Sequence, residues 1–268
     1  MDLPSFSEPT IRLTCFLGIF VTVVVWEILA PRRNQVISRA RRWPNNLGIT
    51  ALNTGLVRIV APTGVVGFAM VTDERGWGLL PLMQFSEWVA VLLAVVLLDL
   101  LIYFQHRMFH AIPVLWRLHR MHHADLEFDV TTGVRFHPIE IVISMGLKIA
   151  AVAIIGAPAL AVLVFEILLN ATSLFNHGNI SLPARIERAL RYFIVTPDMH
   201  RVHHSIDRAE TNSNFGFNLP WWDRLFGTYK PRPAAGHLDM IIGIPEFRSP
   251  EELRFDRLLA QPFRRGKG

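Results

Sequence analysis

The sequence predicts an all-α protein of several membrane-spanning helices with a histidine-rich di-metal site on the cytoplasmic side. Three observations carry that reading. The 268-residue chain is 51% hydrophobic and only 18% charged, with a mean hydropathy of +0.32, too apolar for an ordinary soluble domain. Its apolar residues gather in runs long enough to span a bilayer as helices. Eight of its eleven histidines fall into three tight clusters: His106-Arg-Met-Phe-His110, His119-Arg-Met-His122-His123 and His200-Arg-Val-His203-His204.

Taken in order, Ile11–Ala30 is nearly all apolar and predicts the first span. The polar start Met1–Thr10 has no basic n-region and no small-residue cleavage site follows, so this is read as a retained helix rather than a signal peptide. Arg32, Arg33, Arg39, Arg41 and Arg42 follow and mark the cytoplasmic side. Leu47–Met70 is a second span, weakened by Asn53, Arg58 and Pro62, and Thr72–Gln84 is a short outer loop with Trp77 at the interface. Trp88–Phe104 is the third span, interrupted only by Asp99, and the first histidines follow at its end. Pro138–Asn176 is a long apolar tract broken at Gly156-Ala157-Pro158, which predicts a helical hairpin because proline cannot continue the helical hydrogen bonds. A hairpin that returns to its starting side puts all histidines on the arginine-rich side. From Ile180 onward the chain is polar and basic; Trp221, Trp222, Phe226 and Tyr229 suit either a headgroup-level belt or a packed corner, and Arg254–Lys267 reads as an exposed tail. This divides the chain into N-terminal spans and loops (1–84), a catalytic core (85–230) and a basic C-terminal tail (231–268).

The net charge of +5 lies largely beside apolar segments, which fits anionic lipid headgroups and gives no reason to expect a nucleic acid partner. One cysteine, Cys15, rules out an intramolecular disulfide and a cysteine-held iron–sulfur cluster within the chain.

Histidines three and four apart share one face of a helix, so each cluster can aim its rings at a single point. Imidazole suits iron, zinc, copper and nickel, and eight rings exceed what one ion accepts, so two metals are expected. His137, just before the hairpin, and His177, just after it, come back to the same place and are further candidates; His237, among Pro and Gly, is expected to face solvent. A carboxylate within an apolar span is costly, which makes Asp99, two turns before His106 on the same face, a candidate catalytic residue. Asp125, Glu140, Asp198 and Asp207 also lie near the clusters in sequence, where a carboxylate can hold a ligand's second nitrogen. With zinc, such a centre activates water for hydrolysis; with iron, it activates O2. A non-enzymatic metal-binding or transport protein is a third reading, opposed by histidines gathered at the ends of the spans rather than along them.

The order HxxxH, HxxHH, HxxHH on a multi-span protein resembles the fatty acid hydroxylase/sterol desaturase superfamily. So do Phe136-His137-Pro138, Asn176-His177, Thr196-Pro-Asp-Met-His200, Asn214-Phe-Gly216 and Trp222-Asp-Arg-Leu-Phe-Gly-Thr-Tyr229. The likeness covers roughly residues 85–230. Carotenoid hydroxylases and acyl-CoA desaturases share the histidine logic but fit these spacings less well. The resemblance implies a non-haem di-iron, O2-dependent membrane enzyme that hydroxylates or desaturates a lipid such as a fatty acyl chain or sterol, with zinc able to occupy recombinant protein. It carries His106, His110, His119, His122, His123, His200, His203 and His204 over as metal ligands, with His137 and His177 beside them. The His-Pro-Gly-Gly signature of a fused cytochrome b5 is absent, and so is a nucleotide fingerprint. Electrons are therefore expected from a separate donor of cytochrome b5 or ferredoxin type with its reductase.

Overall fold

The computed structural model describes residues 7–265. Most of the polar start, and Lys267 of the tail, lie outside them. The elements in order are α1 (Glu8–Leu29), α2 (Arg39–Val60), α3 (Gly64–Glu74), α4 (Leu79–Leu82), α5 (Glu87–Ala111), α6 (Pro113–His123), α7 (Pro138–Ile155), α8 (Ala159–Asn176), α9 (Ala184–Leu190), α10 (Pro197–His203), α11 (Arg208–Thr211), α12 (Trp221–Leu225), α13 (Gly236–Asp239) and α14 (Phe255–Ala260). Pairing of β type among the described residues is confined to two isolated bridges.

Five segments are long and apolar enough to cross a membrane: Glu8–Leu29, Arg39–Leu82, Glu87–Ala111, Pro138–Ile155 and Ala159–Asn176. The protein is an integral membrane protein. α1 leaves Leu13, Leu17, Val21, Val25 and Ile28 exposed, as a lipid-facing helix must, and packs its other side on α8. The second span is longer than the sequence suggests and is broken at Ala61–Thr63, beside Pro62. The break lets α3 pack against both arms of the hairpin α7–α8, with Val65, Val66 and Ala69 in one core with Val152, Val162 and Phe165.

The hairpin forms as its sequence indicates. Gly156 caps α7 in the left-handed region (φ 69°), and Pro158 precedes α8. At this tip the chain approaches Gly78 so closely that a Cβ on Gly78 would fall 2.1 Å from the Gly156 nitrogen. The opposite end of the bundle gathers the arginine-rich segment and the histidines, where Arg32 pairs with Asp198 and Arg42 with Asp125.

The C-terminal stretch is not the exposed tail its composition suggests. Leu253, Leu258, Gln261 and Pro262 are buried. Arg117 and Arg120 of α6 donate to the carbonyls of Pro262, Gln261 and Arg264, tying this segment beneath α6. The charged residues face out while a minority of apolar ones anchor it, so net basicity was a poor guide.

Candidate metal centre

The histidines sit where helices end. α5 stops at Ala111 because Ile112 precedes Pro113 and takes an extended conformation. Pro113 then opens α6 and turns it back, so that His119, His122 and His123 meet His106 and His110. α10 starts with Pro197 and is capped by Thr196, whose hydroxyl accepts from the Met199 amide at 3.3 Å.

Nine imidazoles converge in two adjoining groups. His106, His110, His119, His123 and His203 form one; His122, His177, His200 and His204 form the other; within each, the donor atoms lie within 4.8 Å of one another. The groups touch, with His123 and His204 stacked at 4.4 Å between ring centroids. Each HxxHH box is split between the groups instead of aiming at one point, as its spacing alone implied. At about 100° per residue, the first and last histidines stand roughly 40° apart on the helix, while the middle one falls about 60° to the other side. Box two thus gives His119 and His123 to the first group and His122 to the second. Box three does the reverse, giving His200 and His204 to the second and His203 to the first.

Most rings are held by one nitrogen and offer the other. Nδ1 of His106, His122, His177 and His203 lies against the carbonyls of Phe215 (2.9 Å), Arg135 (3.2 Å), Ser173 (2.7 Å) and Ser213 (2.8 Å). His110 Nδ1 meets the Asn212 side-chain oxygen at 3.3 Å, and His119 Nδ1 meets Glu140 Oε1 at 2.7 Å. The Nε2 atoms of His106, His110, His119 and His203 are buried without a hydrogen-bond partner, as are both ring nitrogens of His123 and His204. In the second group, His177 Nε2 lies 3.2 Å from His122 Nε2 and 3.0 Å from His200 Nε2. Buried polar atoms left unpaired are costly. A cation in each group would satisfy one inward nitrogen of every ring: with metal–nitrogen bonds of about 2.0–2.1 Å, opposed ligands stand about 4 Å apart, so each group fits one ion after slight contraction. Burial first, and neighbouring imidazoles next, push His122, His123, His200, His203 and His204 well below the usual histidine range. Burial takes His177 to about 3. Neutral rings are the form a metal requires.

His137 stands apart from both groups. Its Nδ1 accepts from the Ile139 amide as the cap of α7, and its Nε2 lies 3.3 Å from the Leu259 carbonyl of the C-terminal segment. Its contacts are those of a helix cap, and it lies in neither histidine group. Asp99 also departs from expectation. Its carboxylate accepts from the amides of Asn218 and Leu219 and from Trp222 Nε1 at 2.8 Å, pinning the loop before α12 to α5. Among the described residues it touches no histidine, and its hydrogen bonds position that loop. His237 is mostly buried, 3.6 Å from Asp198, rather than facing solvent. The carboxylate that reaches a histidine of the two groups is Glu140, whose other oxygen is buried and unpartnered. Sequence proximity had grouped it with four other acids; its place three residues after a helix-capping histidine was the usable signal.

A buried ion network braces the loop between box two and α7. Arg42 donates to Asp125 (2.9 and 2.8 Å) and Asp129 (2.5 Å), and Arg135 donates to the Met121 carbonyl and lies 3.5 Å from Asp125. Burial works against the Asp125 charge, but Arg42 and Arg135 overcome it and hold the carboxyl far below its usual range. Glu27 of α1 accepts from the amides of Val130 (2.8 Å) and Asn179 (2.9 Å), joining this loop to the one after α8.

The structure is a bundle of apolar, membrane-length helices that closes one end over two adjoining groups of imidazoles able to hold metal ions. The chain matches the fatty acid hydroxylase family over residues 91–228, and it belongs to that family. It is 28% identical to the ornithine lipid hydroxylase OlsE of Rhizobium tropici, over 93% of this chain and 75% of that protein. It is 27% identical to the alkylglycerol monooxygenase of Xenopus tropicalis, over 69% of this chain but only 41% of the relative. It is 24% identical to a very-long-chain aldehyde decarbonylase of Oryza sativa subsp. japonica, over 72% of this chain and 29% of the relative. No solved structure matches the chain. The protein is a lipid-modifying oxygenase of this family.

Proposed function

We propose that the protein is a di-iron lipid hydroxylase that uses O2, holds one ion in each histidine group, and takes its substrate from the bilayer. The observation that supports this most directly is the set of buried, unpartnered imidazole nitrogens divided between two adjoining groups. When bound, the irons would supply the oxidising power to break an unactivated C–H bond with O2 and external electrons. The chain does the rest. The carbonyls of Phe215, Arg135, Ser173 and Ser213 fix which nitrogen of each ring faces inward, and Glu140 does so for His119, raising its basicity as a ligand. Eight of the nine rings are buried, His110 is partly so, and their packing among Phe109, Phe128, Phe215 and Phe217 limits the access of bulk water. The apolar outer faces of the spans put the centre within reach of an acyl chain. Relatives named for an ornithine lipid and for alkylglycerols favour a polar lipid over a free sterol. We place the histidine end in the cytoplasm, where electron carriers work.

Purified protein should contain about two metal ions per chain, since nine imidazoles exceed what one ion accepts. Lipid mass spectrometry should show a gain of one oxygen that requires O2, reductant and iron. One ion or fewer in folded protein, or turnover without O2 and reductant, rejects the proposal; the latter result favours a zinc-activated water.

A further inference from the structure

On the side of the centre away from the spans lies a cleft of about 470 Å³ lined by Phe247, Arg248, Ser249, Glu252, Arg264 and Arg265. Its charge is mainly positive, because Glu252 is already held by both outer nitrogens of Arg264. Arg265 is exposed and makes no ion pair among the described residues. Phe247 forms the inner wall. It is a bulky residue at φ 59°, a backbone conformation that persists only when its surroundings enforce it. Those surroundings are the guanidinium groups of Arg120 and Arg264, 5.0 and 5.4 Å from its ring centre, and a buried cluster with Ala124 and Ile244. Trp116 packs against the same cluster, and its ring lies 4.8 Å from that of His110 and 5.3 Å from that of His123. Phe109, Phe128, Phe215 and Phe217 also touch the histidines but are buried; Phe136 stacks on His122 and packs into the core of the spans, whereas Trp116 is partly exposed and leads out of the bundle.

We infer that this arginine-lined cleft is the docking site of an acidic one-electron carrier protein, and that the Phe247 cluster and Trp116 form the electron's way to the first histidine group. The inference rests on the proposed function. Hydroxylation puts one atom of O2 into a C–H bond and reduces the other to water, which consumes two electrons and two protons. Two successive encounters with a reduced carrier supply the electrons, and solvent supplies the protons. The occupant is acidic because the cleft is cationic, and opposite charge steers encounter. It is a protein rather than a lipid headgroup because the cleft opens onto an aromatic connection to the redox centre, which a headgroup does not need.

The test uses full-length, iron-loaded enzyme in neutral phosphatidylcholine nanodiscs. The probe is an acidic plant-type [2Fe–2S] ferredoxin kept reduced by NADPH and its reductase, with reduced methyl viologen as a small cationic donor. The double variant Ser249→Asp/Arg265→Glu changes two exposed positions and should lower the ferredoxin association rate about tenfold or more at low salt. The difference should shrink at high salt, while reduction by viologen is unchanged. Trp116→Leu should leave association intact and slow ferredoxin-driven reduction. The inference is overturned if ferredoxin does not associate with the wild type, if charge reversal leaves association unchanged, or if the variant instead loses retention of anionic phospholipid. The underlying function is judged separately: viologen-reduced wild type that oxidises no lipid in O2 refutes the hydroxylase reading whatever the association data show.

Discussion

At the scale of single residues, the proposed centre separates side chains assigned to metal from those that hold the protein. Glu140 touches His119 directly, so Glu140→Gln should weaken metal binding or activity by about 10–100-fold with the fold intact, read by metal titration beside a melting curve. Asp99 and His137 behave differently. Asp99→Asn should lower thermal stability by loosening the loop at Asn218–Trp222, and His137→Ala should do so by uncapping α7, yet both variants should retain two metals per chain. Loss of metal stoichiometry in His137→Ala at full stability would restore it as a ligand. The convergence of the eight box histidines was legible from their type and spacing, and that of His177 from the hairpin. The sequence could not separate Asp99 from Glu140, since both are acids near histidines in apolar helices. What distinguishes them is which partner fills the carboxylate, a matter of how a loop 119 residues away returns to α5.

Among the elements, the hairpin was the most readable, because Gly156 and Pro158 act locally. Gly156 combines a left-handed backbone with close packing, a Cβ there falling 2.4 Å from the Trp77 carbonyl. Gly156→Val should therefore cost at least the ~1–3 kcal/mol of such backbone strain, seen as a lower melting temperature in detergent. A variant as stable as wild type would contradict the tip geometry. The kink in the second span and the docking of the C-terminal segment were less readable. Both depend on partners distant in sequence: α3 serves two helices at once, and Arg117 and Arg120 reach the backbone near residue 262. The loop before α7 carries a pH dependence. Burial raises the Asp129 carboxyl, but Arg42 overrides it and holds it below its usual range. Its contribution is present above the unfolded value of about 3.9 and is lost as pH falls through the folded value. Melting curves below about pH 4 should fall steeply in wild type and more gently in Asp129→Asn, which starts from a lower plateau.

For the whole molecule, the shared end of the bundle is the main constraint: segment 32–42 and all nine converging histidines lie together, and Gly78 and Gly156 meet at the other end. In a Cys15→Ser background, single cysteines at Val36 and Ala209, both exposed, should be labelled by an impermeant reagent from the cytoplasmic side. A cysteine at Glu74 should be labelled from the opposite side. Labelling of Val36 and Ala209 from different sides would contradict the architecture, and labelling of both from outside would reverse the proposed orientation.

The uneven sharing of the boxes also sets a timetable for biosynthesis. His106, His110, His119 and His123 lie within one stretch of α5 and α6, so a growing chain that has not yet reached box three already carries four of the five donors of the first group. The second group then has only His122 and His177. Closing it requires a loop of nearly eighty residues and a returned hairpin, while the first needs little more than the turn at Ile112-Pro113. On the proposed two-ion reading, the ions would therefore not enter a finished cavity together: the first would be captured while the chain is still being made, and the second would wait for the last membrane helix to be in place.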